Sequence, residues 1–165
     1  MVIFPLQNDD GKLVWDFLRL AAHEEFLSAV QSAPLLARYA KNWGQDGDFG
    51  FAAREANLIL GVIWARIFPA TKPGFGFVGA QIPEISLAVL PEYRGRGIGR
   101  QLLQTLIDEA APRTQALSLS VRDDNPAALR LYASCGFEKV AGCEVVNRAG
   151  GTSFVMRLDL SDVPA

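Results

Sequence analysis

Between residues 83 and 107 the chain reads PEISLAVLPEYRGRGIGRQLLQTLI. Residues Ile85 to Leu90 are β-prone and nearly all apolar, which predicts a strand buried on both faces. Pro91 ends this strand because proline cannot donate to a β-ladder. The apolar residues that follow recur at the spacing of one helical face and stop at Pro112, so a helix is predicted there.

A glycine-rich turn joins this strand to this helix. It contains Gly95, Gly97 and Gly99, interleaved and flanked by Arg94, Arg96 and Arg100. Such a turn at a helix start aims consecutive backbone N–H groups at one point, where the helix dipole also favours negative charge. The sequence therefore predicts a phosphate cradle. The alternative is an ordinary glycine turn whose arginines are solvated.

Two other types of phosphate-binding loop are excluded because this turn does not match their consensus sequences. A dinucleotide-binding loop requires G-x-G-x-x-G directly after the strand. Here Arg100 stands at the third glycine position, and residues 91–94 separate the strand from Gly95. A Walker A loop requires Gly-Lys-Ser/Thr, which this turn lacks.

A second strand and helix follow the first pair. Residues 117–121 predict a short strand, and the residues after it carry the usual helix punctuation. Asn125 stands at the N-cap, Pro126 at the first helical position, and Gly136 just past the end.

The two stretches resemble the signatures of the GNAT N-acetyltransferase superfamily. The first matches its acyl-CoA loop, Arg/Gln-x-x-Gly-x-Gly/Ala, at Arg94, Gly97 and Gly99. The second, Asn125 to Phe137, matches a run in which Asn, Ala, Tyr and a Gly-Phe pair keep fixed spacing. The resemblance rests on residues 84–140.

The remaining patterns complete an α/β order. They predict a strand at residues 2–6, a helix at 13–21, a second helix that begins near Pro34 and ends at Gly44, a hairpin of 51–54 with 58–68 bulged at Gly61, and a last hairpin of 138–146 with 152–158. This order predicts a sheet with helices on both faces, and the passage from Ile85 to Val121 requires a parallel crossover. The resemblance further implies a mixed central sheet, splayed between its fourth and fifth strands, in one N-acetyltransferase domain spanning residues 1–165.

Composition narrows the class of protein. The chain has 165 residues, 50% of them hydrophobic, and a mean hydropathy of +0.15, which suits one domain with a sizeable core. The net charge of -2 gives no reason to expect nucleic acid or a membrane as partner. Cys135 and Cys143 have neither zinc-site spacing nor a disulfide framework. With no recognisable leader and no stretch long enough to span a membrane, a cytoplasmic location is expected.

The resemblance implies acetyl-CoA as co-substrate, with no metal, and it assigns the binding residues. Backbone N–H groups of the turn would hold the pyrophosphate, and backbone groups of the central strand would pair with the pantetheine arm. Asn125 would contact that arm, a role compatible with its N-cap position. The cofactor-binding residues are therefore Leu87, Ala88, Val89, Arg94, Gly95, Arg96, Gly97, Ile98, Gly99, Arg100 and Asn125.

Two side chains match catalytic positions of the family. Tyr132 matches a tyrosine near the CoA sulfur, and a phenol of pKa about 10 suits a general acid for the leaving thiolate. Its alternative role is a tyrosine packed on the core. Glu84 matches the catalytic glutamate that several members use to deprotonate the amine. Its alternative is a solvated strand-end carboxylate, with water carrying the proton. The N–H of Val89 would stabilise the oxyanion.

The acceptor predicted from the resemblance is a primary amine of a small molecule or an amino-acid-like compound. A protein N-terminus or lysine is one alternative, and a non-catalytic acyl-CoA-binding module is another. The acceptor surface would be built from residues 13–43 and 69–83. Its candidate lining residues are Trp15, Trp43, Phe75 and Phe77, and its candidate charges are Glu24, Glu25, Asp46 and Asp48. The sequence does not decide the oligomeric state, and a homodimer is left open.

Overall fold

A computed structural model gives the structure of residues 1–147 and 149–160. The helices in these residues are α1 (Gly11–Ala21), α2 (Leu27–Gln31), α3 (Pro34–Ala37), α4 (Ile98–Ala110) and α5 (Pro126–Ser134). The strands are β1 (Val2–Pro5), β2 (Phe49–Glu55), β3 (Leu58–Arg66), β4 (Glu84–Val89), β5 (Ala116–Arg122), β6 (Glu138–Lys139), β7 (Val145–Val146) and β8 (Thr152–Asp159). A 3₁₀ turn, Pro91–Tyr93, lies between β4 and α4.

The chain divides into two compact units, and both are discontinuous in sequence. The first joins Met1–Arg66 to Ile85–Leu106. The second joins Ile67–Glu84 to the described residues of 107–160. The assignment of residues 1–165 to one domain stays a prediction.

In the first unit the strand order is β1-β2-β3-β4, with β1 and β3 both antiparallel to β2. The predicted hairpin of β2 and β3 is confirmed. Its irregularity falls at Leu60, because Ala53 pairs with Gly61 while Arg54 pairs with Ile59. The bulge predicted at Gly61 therefore lies one residue earlier. Gly61 instead allows close packing, since a Cβ there would lie 3.1 Å from the Ala88 carbonyl oxygen.

The helices of the first unit differ from the prediction after α1. Helix α1 buries Val14, Phe17 and Leu18, as its periodicity predicts. The helix predicted from near Pro34 to Gly44 is only the four-residue α3, and α2 precedes it unpredicted. Beyond α3 the backbone bonds are mixed, because Ala37 O accepts from Ala40 N–H at 3.0 Å (i→i−3) and from Lys41 N–H at 2.8 Å (i→i−4). Such i→i−3 turns are common where an α-helix ends.

In the second unit β8 lies between β5 and β6 and is antiparallel to both, and β7 also pairs with β8. Glu84, which begins β4, pairs in parallel with Ser118 of β5. The Ser118 N–H also donates to the Pro83 carbonyl at 3.0 Å. The predicted mixed sheet is thus confirmed, and a β4–β5 register of one residue pair agrees with the predicted splay.

The last hairpin is interrupted on its first side. A continuous strand over residues 138–146 was wrong, because only β6 and β7 pair with β8. After Val140 N–H donates to Val155 O at 2.8 Å, the chain turns through Gly142, whose φ is +78°. A residue in the left-handed region cannot extend a strand, so the pairing resumes only at Val145.

The central helix α4 is held by its apolar face. Leu102, Leu103 and Leu106 are fully buried, as the spacing of these residues predicts. Among the described residues no helix is long and apolar enough to cross a membrane. The cytoplasmic location stays a prediction.

Candidate functional site

The turn between β4 and α4 has the backbone shape of an anion cradle. Gly95 and Gly97 both have φ +79°, in the left-handed region that favours glycine. Gln101 N–H donates to Gly97 O at 3.1 Å, which places Gly97 at the N-cap of α4. The N–H groups of Ile98 and Gly99 precede this first intrahelical bond and are available to a ligand. Buried Ile98 anchors the helix start, while Gly99 lies within its first turn.

The arginine side chains of the turn bond to nearby backbone. Arg94 Nε donates to the Val89 carbonyl at 3.1 Å, which ties the turn to the end of β4. Arg96 lies over the ring of Tyr93, 4.9 Å from its centroid. Arg94, Arg96 and Arg100 are exposed. This arrangement favours the backbone over the guanidinium groups as the main phosphate ligand.

The β4 residues predicted to bind the cofactor arm precede this turn directly. Ala88 is buried, whereas Leu87 and Val89 are half-buried. Just beyond the strand, Leu90 N–H donates to Leu60 O at 2.8 Å. The structure therefore brings Leu87–Val89 and Arg94–Arg100 together in the first unit, and their role in binding stays a prediction.

Replacing Gly97 by valine is expected to abolish CoA binding in isothermal titration calorimetry. A β-branched residue is strained at φ +79°, so the N–H groups would turn away from the phosphate. Gly142 is a matched control, since it has φ +78° and, like Gly97, has open space where a Cβ would project, with nothing within 4 Å. Gly142→Val should bind CoA normally and Arg96→Ala only modestly more weakly. Equal losses from Gly97→Val and Arg96→Ala would contradict the backbone cradle.

Glu84 and Ser118 form a buried polar pair in the second unit. They are partners in the parallel register, with exposed fractions of 3% and 0%. The alternative of a solvated strand-end carboxylate for Glu84 is therefore wrong. A single sequence does not reveal that burial.

Tyr132 lies on α5 with its side chain in the core of the second unit. Its ring meets Phe137 edge to face, with centroids 5.8 Å apart. Burial raises the pKa of the Tyr132 phenol above its ordinary value. The hydroxyl therefore keeps its proton at neutral pH, as a general acid must. Core packing and acid catalysis are compatible, and the catalytic role stays a prediction.

Asn125 caps α5 as predicted. Its Oδ1 accepts from the Ala128 N–H at 3.2 Å. This bond uses the carbonyl half of the side chain, so its amide hydrogens can still serve a ligand. Contact between Asn125 and the cofactor stays a prediction.

The predicted acceptor residues divide into exposed and structural groups. Phe75 is 36% exposed, and Phe77 is half-buried. Trp43 is half-buried and donates from Nε1 to Gln7 O at 2.9 Å. Asp48 cannot attract an amine as predicted, because its buried carboxylate is paired with Arg66 at 2.7 Å.

Sequence reasoning missed Gly76, which lies against β5 in the second unit. An ideal Cβ at this position would lie 2.5 Å from the Leu119 carbonyl carbon and 2.8 Å from Ser120 N. Only glycine fits at such an approach. The available signal was a glycine between two aromatic residues, Phe75 and Phe77.

The comparisons with known proteins agree with this geometry. The acetyltransferase (GNAT) family matches residues 15–137. N-alpha-acetyltransferase RimI of Mycobacterium tuberculosis is 45% identical over 78 residues, covering 47% of this chain and 48% of the relative. L-2,4-diaminobutyric acid acetyltransferase of Nocardia farcinica is 34% identical over 123 residues, covering 65% and 63%. The acetyltransferase yncA of Salmonella typhimurium, solved with its cofactor acetyl-CoA, has a similar fold, with TM-score 0.74, 24% identity, and coverage of 100% of this chain and 96% of that chain.

The protein belongs to the GNAT acetyltransferase family, since the family match covers most of the chain. The family predicted from residues 84–140 is thereby confirmed. The chain spans 48% and 63% of the lengths of the two curated relatives.

Proposed function

We propose that this protein is an acyltransferase that moves the acetyl group of acetyl-CoA to a primary amine by direct attack in a ternary complex. The observation that carries the proposal is the cradle at the start of α4, where Gly95 and Gly97 have positive φ. In a chain of this family, such a cradle fits the pyrophosphate of CoA. Bound acetyl-CoA supplies the acetyl group as an activated thioester.

The residues of β4 and α5 stabilise the charges that develop during transfer. The Val89 N–H donates to the oxyanion that forms when the amine attacks. Tyr132 gives its proton to the leaving sulfur, since a phenol carries that proton at neutral pH. Asn125 orients the cofactor arm from the N-terminus of α5.

Glu84 removes a proton from the ammonium form of the acceptor, which must become a neutral amine before it can attack. An ammonium has no lone pair, so attack requires a base within reach, directly or through one water. The support for this role is the burial of Glu84 beside Ser118 at the start of β4. A carboxylate that is buried in this way does not serve only to keep the protein in solution.

The acceptor we propose first is a small amine or an amino-acid-like compound. Phe75, 36% exposed, offers an apolar surface in the segment before β4. A second candidate is a protein N-terminus, favoured by the 45% identity to an N-alpha-acetyltransferase over 78 residues. A screen of amines, amino acids, polyamines and peptides for CoA release separates the two. Tight CoA binding with no transfer to any acceptor would instead indicate a non-catalytic acyl-CoA-binding module.

Replacing Glu84 by glutamine is expected to lower kcat/KM, and most strongly at the acidic end of the pH profile. At higher pH more of the amine arrives already neutral, so part of the loss should be recovered. Measurement of kcat/KM against pH with the best acceptor tests this. Glu138→Gln is the control, because Glu138 is an exposed glutamate of the same unit. A Glu84→Gln enzyme with unchanged rate and profile would show that water alone carries the proton.

A further inference from the structure

Ser118 contains a buried hydroxyl without a hydrogen-bond partner. The residue lies in the middle of β5 and is 0% exposed. Its backbone N–H donates to Pro83 O, but across residues 1–147 and 149–160 no group hydrogen-bonds to its Oγ. Buried hydroxyls usually have a partner, because leaving one unsatisfied costs free energy of folding. Because a hydroxyl at such a position does not stabilise the fold, it is expected to have another role.

The position of Ser118 suggests that role. Paired residues of neighbouring strands project their side chains to the same face of a sheet, and the partner of Ser118 is Glu84. Both side chains are almost fully shielded from solvent. The hydroxyl and the carboxyl group therefore share one enclosed face at the start of β4.

The segment that leads into Glu84 is held at several points by β5 and by Thr114, which lies just before β5. Gly76 lies against the backbone of Leu119 and Ser120. Thr114 Oγ1 donates to Gln81 O at 3.5 Å, and the Ser118 N–H donates to Pro83 O at 3.0 Å. These contacts fix the backbone at Glu84 relative to β5. A change in the Ser118 side chain is therefore expected to act locally, at Glu84.

We propose that Ser118 is a positioning residue for proton removal, and this inference rests on the proposed role of Glu84 as base. The Ser118 hydroxyl hydrogen-bonds the group that hands its proton to Glu84, and so orients that proton toward the carboxylate. The proton passes from the ammonium nitrogen to a Glu84 oxygen, directly or through one water, and the amine keeps the electron pair with which it attacks. Ser118 itself neither gains nor loses a proton.

The test is Ser118→Ala, measured for stability and for steady-state kinetics with the acceptor found in the screen. Removing an unsatisfied hydroxyl should leave Tm unchanged or raise it. The same change should lower kcat/KM for the amine by about 10-fold, part of a general-base contribution, and leave the affinity for CoA unchanged. Added to Glu84→Gln, it should cause no further loss, because both changes remove the same step.

Ser153 provides a matched control. It is a buried serine on β8 whose Oγ accepts from Asn147 Nδ2 at 3.3 Å. Ser153→Ala should therefore lower Tm and leave kcat/KM unchanged, the reverse of Ser118→Ala. If Ser118→Ala does not fold, Ser118→Cys keeps the size while weakening the hydrogen bond and should show the same kinetic loss.

The outcomes separate this inference from the function on which it rests. A normal kcat/KM in Ser118→Ala, beside a loss in Glu84→Gln, would overturn the role of Ser118 alone. Additive losses in the double variant would also overturn it, since the two residues would then act independently. No loss in Glu84→Gln would remove the base and this inference with it.

Discussion

Replacing Tyr132 by phenylalanine is expected to lower kcat by about 10² to 10⁴-fold, the usual contribution of a general acid, with little change in the KM for acetyl-CoA. The hydroxyl is proposed to act only as the thiolate leaves, so the change removes transition-state stabilisation rather than binding. Phenylalanine retains the ring that meets Phe137 edge to face. Steady-state kinetics with saturating amine and varied acetyl-CoA measure the effect.

The pH dependence of kcat and of stability in the wild-type enzyme provides a second test of the role of Tyr132. In the unfolded chain the pKa of a tyrosine is about 10. Because burial raises the pKa of Tyr132, its phenol stays protonated above that pH in the folded protein. Its contribution to stability is therefore fully present below pH about 10 and is lost as pH rises through the folded pKa. Ionisation of Tyr132 should cause no fall in kcat at pH 7 to 9. Tyr39→Phe, at a comparably buried tyrosine, should leave kcat unchanged, whereas a normal kcat in Tyr132→Phe would reduce this residue to packing.

Replacing Asp48 by alanine is expected to lower the free energy of unfolding by about 3 to 5 kcal/mol. Arg66 donates from Nε and Nη2 to the two Asp48 oxygens at 3.0 and 2.7 Å, and both side chains are about 95% buried or more. Arg66 Nη1 also holds the carbonyls of Arg38 and Lys41 at 2.8 and 2.6 Å. Without Asp48 the guanidinium remains as a buried charge without its counter-ion. Thermal and denaturant unfolding measure the loss.

An exposed ion pair provides the control for Asp48. Lys12 and Asp16 lie 2.9 Å apart on α1, with their side chains 86% and 41% exposed. Water and salt screen such a pair, so Asp16→Ala should leave Tm nearly unchanged. An Asp48→Ala protein as stable as Asp16→Ala would show that the buried pair contributes no more than a surface pair. Replacing Arg66 and Asp48 together by apolar residues should recover part of the loss, because no isolated charge remains.

The elements with strong local signals could be predicted from the sequence. Helix α4 has a clear apolar period and a proline stop, and α5 has an Asn-Pro start and a glycine end. The turn after strand β4 matches the acyl-CoA loop of the family at Arg94, Gly97 and Gly99. These signals lie within short stretches of sequence, so they can be recognised without knowledge of the tertiary contacts.

The features that sequence reasoning missed depend on contacts between distant residues. Glu84 is buried at the strand position that pairs with Ser118, and Asp48 forms an ion pair with Arg66. The sequence predicts Glu84 as a base, with a solvated carboxylate as the alternative, and Asp48 as a charge of the acceptor surface, but it predicts burial for neither, because most carboxylates are exposed. Helix α2 has five residues and gives too short a period to recognise. The break between β6 and β7 follows from a left-handed glycine that the sequence does not distinguish from other turn glycines.

The interleaving of the two compact units limits how the chain can be divided. The first unit needs β4 and the start of α4, which follow residues 67–84 of the second. No single contiguous fragment therefore contains one complete unit without part of the other. During synthesis, residues 1–66 emerge before β4 and the start of α4, so the sequence of the first unit is complete only after residue 106. Truncation or cleavage between residues 67 and 84 would thus damage both units at once, even though the cut itself would fall in a loop.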